Sequence, residues 1–294
     1  YLCKKMTVDV YEFFKKHPKF NKHIGNDFLL VEYKCPLNIE EFQLWTKSHL
    51  ITYVISGKKD WITPDQTYSL SEGDTLFVKK GVYTTKQHLE EAYCVMLFFM
   101  NDEFIRNFTM QNTIHKDASA NESTKDGVLK IHTNNSFKIL IESILQYLTM
   151  DESIPPELVE LKFKELIYNI TLIKKNKAFK NLLLDISNER KANIEQVMNN
   201  NFQYDLPIEA FAKLSGRSLS SFKRDFKKGF ETSPSKWLIN RRLTYGKMLL
   251  TSTQMNINEI CHESGFKNTS HFIQAFKEKY KLPPNQFRKL NHTN

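Results

Sequence analysis

The 294-residue chain is poor in cysteine, and its four copies, Cys3, Cys35, Cys94 and Cys261, are scattered without paired spacing. That usage argues against a disulfide framework and fits reduced thiols in a cytoplasm. No apolar run approaches the ~20 residues that cross a bilayer, so no membrane partner is expected. The longest run, Tyr93 to Met100 (YCVMLFFM), has the length of a buried strand. A secretory signal is lacking, and the start at Tyr1 rather than Met reads as a trimmed end. A Gly-rich phosphate loop is lacking too.

Acid–base and metal chemistry are equally thin. The pairs Asp102-Glu103 and Asp151-Glu152 read as solvated charges or helix-start residues. Cys261 and His262 are adjacent and would point in different directions on a helix, with Cys261 as small core. Ser220-Ser221-Phe222-Lys223 matches S-x-x-K in form, without the other elements of that chemistry. Neither a catalytic residue nor a cofactor is expected, and the chain is not expected to be an enzyme.

What the chain does have is charge, unevenly placed. Residues 1 to 186 hold 24 basic and 24 acidic side chains, whereas residues 187 to 294 hold 18 and 9. The whole formal excess of +9 therefore lies in the last 108 residues. A neutral body with a basic C-terminal third points to a polyanion, nucleic acid before membrane. A second basic cluster, Lys4, Lys5, Lys15, Lys16 and Lys19 with Lys22 and Lys34, reads as a solvated face or the border of a pocket for an acidic effector.

Up to about residue 110 the pattern is β-rich. Ile51 to Ile55, a turn at Ser56-Gly57, and Trp61 to Thr63 read as a hairpin. Further turns at Glu72-Gly73-Asp74 and Lys80-Gly81 give short strands at about ten-residue spacing, as in an antiparallel barrel or sandwich. Val8 to Phe14 fits strand or helix. Residues 112 to 135 are small and polar, and predict a loop with room for one short element. Helical spacing follows in Phe137, Leu140, Ile141, Ile144, Leu145 and Leu148, and a second helix opens at Pro155-Pro156. Lys174, Lys175 and Lys177 mark its end, where cations are favoured.

The basic third is an internal repeat. Ile208, Phe211, Ala212, Ser215 and Gly216 recur 49 positions on as Ile257, Ile260, Cys261, Ser264 and Gly265. Phe222, Phe226, Phe230, Pro234 and Trp237 recur 50 positions on as Phe272, Phe276, Tyr280, Pro284 and Phe287. Each copy predicts a short helix, a Ser-Gly turn and a longer helix with an aromatic every four residues, the layout of a helix-turn-helix. Opposite the aromatics, the first copy presents Ser220, Lys223, Arg224, Lys227 and Lys228. Arg224 suits a bidentate contact to guanine, and the lysines suit phosphates. The second copy presents Asn268, Thr269, Ser270, Ile273 and Gln274, with Lys277 beyond and His271 beside them. Gln suits adenine, and Ile a thymine methyl. A helix from Pro234 to Leu250 connects the copies and carries Arg241, Arg242 and Lys247 as candidate phosphate contacts.

From Asn193 to Leu290 these features resemble the AraC/XylS family of bacterial transcription regulators. The most specific stretch is INEICHESGFKNTSHFIQAFKEKYKLPPNQF, Ile257 to Phe287. The resemblance implies seven helices holding two helix-turn-helix units on a long bridging helix. It places Ser220, Lys223, Arg224, Thr269, Ser270, Ile273 and Gln274 on double-stranded DNA. Where Gln274 stands a basic residue is frequent, which implies less affinity or a different base preference in the second unit. More weakly, His49 to Gly81 resembles a cupin-like sensor barrel, through Val54-Ile55-Ser56-Gly57, Gly73-Asp74 and Lys80-Gly81. Metal-binding cupins supply several His and a Glu here, whereas His49 stands alone until His88, so no metal is expected.

The expected class is therefore α+β: an N-terminal antiparallel β-barrel, cupin-like, with flanking helices, and a C-terminal all-α domain with two helix-turn-helix motifs. The expected boundaries are 1–110 for the barrel, 111–135 for a linker loop, 136–186 for a helical linker and 187–294 for the DNA-binding domain. Residues 136–175 are a candidate homodimer surface or a layer packed on the barrel. The expected function is cytoplasmic, sequence-specific transcription regulation, with activation the expected direction and repression open. The barrel would sense an unknown small molecule or be controlled by a partner protein; a cupin enzyme fused to a DNA-binding domain is the third alternative.

Overall fold

A computed structural model describes residues 8–34, 41–63, 65–88, 92–112, 114, 127–150, 153–188 and 192–291. Cys3, Cys35, Lys4, Lys5, Asp151-Glu152 and most of the expected linker loop lie outside the described residues. The chain divides into two compact units, Tyr1–Arg190 and Lys191–Asn294.

The first unit runs β1 (Val8–Asp9), α1 (Val10–Lys16), β2 (Lys22–Ile24), β3 (Phe28–Lys34), β4 (Glu41–Thr46), β5 (His49–Ser56), β6 (Lys59–Ile62), β7 (Thr67–Leu70), β8 (Thr75–Val78), β9 (Gly81–Gln87), β10 (Cys94–Met100), α2 (Asp102–Gln111), β11 (Val128–Ile131), α3 (Asn135–Thr149), α4 (Pro156–Leu172) and α5 (Lys177–Asn188). Its strands form two sheets, ordered β1-β4-β9-β6-β7 and β11-β8-β5-β10-β3-β2. Every pairing is antiparallel except β1 with β4. The class is α+β, and the two sheets do not close into one ring among the described strands.

Period-two burial explains why the second sheet is apolar on both faces. Leu29, Val31, Leu50, Val54, Leu76, Val95 and Leu97 share a core with Leu44, Trp61 and Tyr83 of the first sheet. The alternate residues Leu30, Ile51, Phe77, Met96 and Phe98 pack against Phe104 and Phe108 of α2, Phe137 and Ile141 of α3, Phe163 of α4 and Phe179 of α5. Central strand β10 faces both layers, so all seven of its residues are buried. That is the physical reason for the unbroken YCVMLFFM run.

The expected hairpin at Ser56-Gly57 is a corner instead. β5 pairs with β10 and β8, whereas β6 pairs with β7 and β9 in the other sheet. Gly57 turns this corner at φ 76°, where an added Cβ would lie 2.8 Å from the Ala92 carbonyl oxygen. Close approach, rather than a hairpin register, is what demands glycine here. The short element allowed within residues 112–135 is β11, which extends the second sheet along β8. Val8 to Phe14 begins as strand and continues as helix, capped by the Asp9 side chain on the Glu12 N–H.

Helix α3 buries Phe137, Leu140, Ile141, Ile144 and Leu148, as its spacing predicts. On α4 the buried stripe is Val159, Phe163, Leu166, Ile167 and Ile170, and Leu161 falls outside it. These helices pack as one layer against the second sheet, and leave Ile139 of α3 and Leu161 and Leu172 of α4 exposed.

His49, fully buried, has both ring nitrogens engaged. Nδ1 accepts from the Lys80 backbone N–H at 3.3 Å, so Nε2 carries the proton and donates to Asp102 at 2.9 Å. Lys80 Nζ donates to the other Asp102 oxygen at 2.6 Å. Burial lowers the His49 pKa, against the pull of Asp102. Burial would raise Asp102, but the His49 hydrogen bond and the Lys80 charge hold it well below the usual carboxylate range. Asp102 is thus a helix-start residue as expected, yet paired rather than solvated. His88 lies apart from this group and pairs with Asp60 at 3.1 Å.

Candidate nucleic-acid interface

The second unit runs α6 (Ile194–Asn201), α7 (Ile208–Leu214), α8 (Leu219–Phe230), α9 (Pro234–Ser252), α10 (Ile257–Glu263), α11 (Thr269–Tyr280) and α12 (Pro284–Asn291). The repeat reappears here as repeated geometry. Gly216 and Gly265 close α7 and α10 at φ 68° and 89°. In the first turn, Gly216 N–H donates to Lys213 O at 3.0 Å and Arg217 N–H to Ala212 O at 2.9 Å. In the second, Gly265 N–H donates to His262 O and Phe266 N–H to Cys261 O at the same two distances. This paired pattern satisfies the last carbonyls of a helix and requires a left-handed residue. Ser215 and Ser264, both fully buried, donate back to Ala212 O and Ile260 O.

The longer helices are stopped alike. Glu231 and Lys281 take left-handed conformations and donate to Lys227 O and Lys277 O. Pro234 then opens α9 and Pro284 opens α12. The aromatics pack as matching triads: Phe226, Phe230 and Trp237 with centroids 4.3 to 6.1 Å apart, and Phe276, Tyr280 and Phe287 with centroids 4.6 to 6.0 Å apart. Phe222, Phe226, Phe272 and Phe276 are fully buried. Anchoring one face this way fixes which residues point outward.

Those outward residues are the ones the sequence singles out. On α8, Ser220, Lys223, Arg224, Lys227 and Lys228 are exposed. On α11, Ser270, Ile273, Gln274 and Lys277 are exposed, and Thr269 is half-buried. The first face is strongly cationic. The second carries less charge, because Gln274 stands where α8 has Arg224 and Glu278, which accepts from Gln274 Nε2 at 3.0 Å, stands where α8 has Lys228.

On the bridging helix, Arg242 is tied into the fold through two of its nitrogens: Nε donates to Phe202 O at 2.6 Å and Nη2 to Tyr204 O at 2.8 Å. Burial pulls its pKa down to about 10. Arg241 lies over the Phe202 ring at 4.5 Å and donates Nε to Asn199 at 3.0 Å, leaving its terminal nitrogens outside those contacts. Lys247 lies over the Tyr280 and Phe287 rings. A helix wheel shows only that these side chains are basic; the turn after α6, which collects the arginine donors, has no signal in the repeat. Sequence reasoning also passes over Arg217 and Asp225, joined at 3.2 Å.

Two family models match the chain. One, described as the ExsA N-terminal regulatory domain, covers residues 49–182, and the other, a helix-turn-helix domain, covers residues 211–290. Together with the relatives below, these two matches support an AraC-family regulator, a DNA-binding transcription regulator with an N-terminal regulatory domain. Among its relatives, the virulence regulon transcriptional activator VirF of Yersinia enterocolitica is 24% identical over 236 residues, 80% of this chain and 87% of that one. The regulator ExsA of Pseudomonas aeruginosa is 22% identical, over 86% of this chain and 91% of its own. A solved structure of ToxT from Vibrio cholerae matches at 14% identity with a TM-score of 0.45, covering 90% of this chain and 97% of that one.

Proposed function

We propose that this AraC/XylS-family regulator activates transcription by setting α8 and α11 into successive major-groove faces of one DNA site, about one helical turn or ~34 Å apart. The observation that carries this reading is the duplication of exposure. From Phe222 to Phe230 and from Phe272 to Tyr280 the order of buried and exposed residues is the same. Two helices anchored identically present equivalent faces. Ser220, Lys223 and Arg224 take base edges and nearby phosphates in one groove; Thr269, Ser270, Ile273 and Gln274 take the other. Lys227, Lys228, Lys277 and Arg241 meet the backbone.

In this reading the first unit regulates rather than catalyses, and the protein works in the cytoplasm on chromosomal or plasmid DNA. Its control comes from a small molecule or a protein. Exposed apolar side chains on α4, Leu161 and Leu172, favour a protein contact, which includes a second copy through residues 136–175. Selection of bound DNA from a random pool, using the full chain, tests the central part. Enrichment of a site with two conserved blocks one turn apart is expected. Recovery of no common sequence overturns it.

A further inference from the structure

The two helix-turn-helix units differ sharply at one spot beside the groove-reading surface. In the first, Asp225 accepts from Arg217 Nε at 3.2 Å and Ser221 Oγ at 3.5 Å, and its other oxygen forms an ion pair with Arg224 Nε at 3.6 Å. Arg217 is itself fixed, because Nη1 donates to Ala192 O and Ser215 O, both at 2.8 Å. Ser215 belongs to the tight turn, so the carboxylate position is set by the turn itself. Arg224 also donates Nη2 to Ser221 Oγ at 3.4 Å, while its side chain stays 78% exposed. In the second unit the matching positions hold Phe266, His271, Gln274 and Ala275. There Phe266 packs on His271 and Phe272, and Ala275 offers no carboxylate.

An arginine reads guanine through two parallel N–H donors on O6 and N7, a geometry that a freely rotating side chain satisfies only part of the time. A carboxylate on the Nε edge restricts that rotation while leaving outer N–H donors for the base. We infer that Asp225 is a positioning residue: held by Arg217, it orients Arg224 toward a guanine and makes the first helix-turn-helix the more discriminating of the two. This inference rests on the DNA-facing role proposed above for Arg224.

The test uses the full chain on a selected site and all its single-base-pair variants, comparing wild type, R224A, D225N, S221A and the double variant of R224A with D225N. Removing the Asp225 charge raises affinity for every sequence alike, so the readout is the ratio between sites. R224A is expected to relax one base pair, and D225N to lower discrimination at that same pair by about 10-fold, a bidentate contact's usual range. In the R224A background D225N should add nothing. S221A leaves the Arg217 contacts in place and should move the same pair in the same direction, which keeps the test decisive if D225N folds poorly. A D225N effect spread evenly over all sites, or one that survives in R224A, overturns the positioning role alone. If R224A itself weakens all sequences equally, base reading by Arg224 falls and the positioning role falls with it.

Discussion

Gly265 combines two demands at one residue. Its φ of 89° is left-handed, and an added Cβ would lie 2.8 Å from Gln203 O and 2.9 Å from Arg242 Nε. Gly265→Ala should therefore lose about 2–4 kcal/mol through backbone strain and overpacking against a main-chain turn. Gly229, exposed in the last turn of α8, has nothing within 4 Å of its added Cβ, so Gly229→Ala should gain up to ~1 kcal/mol. Thermal or denaturant unfolding of both variants checks the pair; equal effects would contradict the account. His49 carries a second residue-scale expectation. Its folded pKa lies below its unfolded value of 6.5, so the unfolded state binds a proton first and stability drains away as pH falls below about 6.5. Asp102, also depressed, holds its contribution until more acidic conditions and loses it in the same direction. His49→Gln should flatten the stability slope between pH 6.5 and 5 measured by thermal melts, and an unchanged slope would assign it elsewhere.

At the level of elements, the bridging helix α9 separates basic residues that build the unit from those that meet DNA. Arg242 fastens α9 to the turn after α6, and Lys267 ties the α10–α11 turn to Asp205 of the same segment at 2.8 Å. Arg242→Ala leaves carbonyls without their donors and should destabilise the unit by about 2–4 kcal/mol. Lys227→Ala and Lys228→Ala should change stability by less than about 0.5 kcal/mol while each lowers the salt slope of DNA binding by about 0.9. Melting and binding titrations on the same variants distinguish the two behaviours. Much of this was legible in sequence. The Ser-Gly turns, the aromatic spacing and the outward sets on α8 and α11 all follow from a repeat whose period matches helical geometry. The partners of Arg242, and the pairing of Arg217 with Asp225, were not legible, because they depend on turns that the repeat does not encode. The first unit was less readable for a related reason: a Gly turn between two β-runs looks the same whether the strands pair or, as at Gly57, leave for different sheets.

Across the whole molecule, charge and architecture divide the labour. The formal excess of +9 falls on the second unit, and within it more on α8 than on α11. Affinity should thus come mostly from the first helix-turn-helix, with the second adding base preference through Ile273 and Gln274. The most direct measurement is a footprint of the full chain on its selected site, made with wild type, with Lys223→Ala plus Arg224→Ala, and with Ile273→Ala plus Gln274→Ala. The account predicts two protected major-groove tracts centred about 10–10.5 base pairs apart, with each double variant weakening a different tract. A single tract in the wild type, or a variant that weakens the other helix's tract while sparing its own, would contradict it.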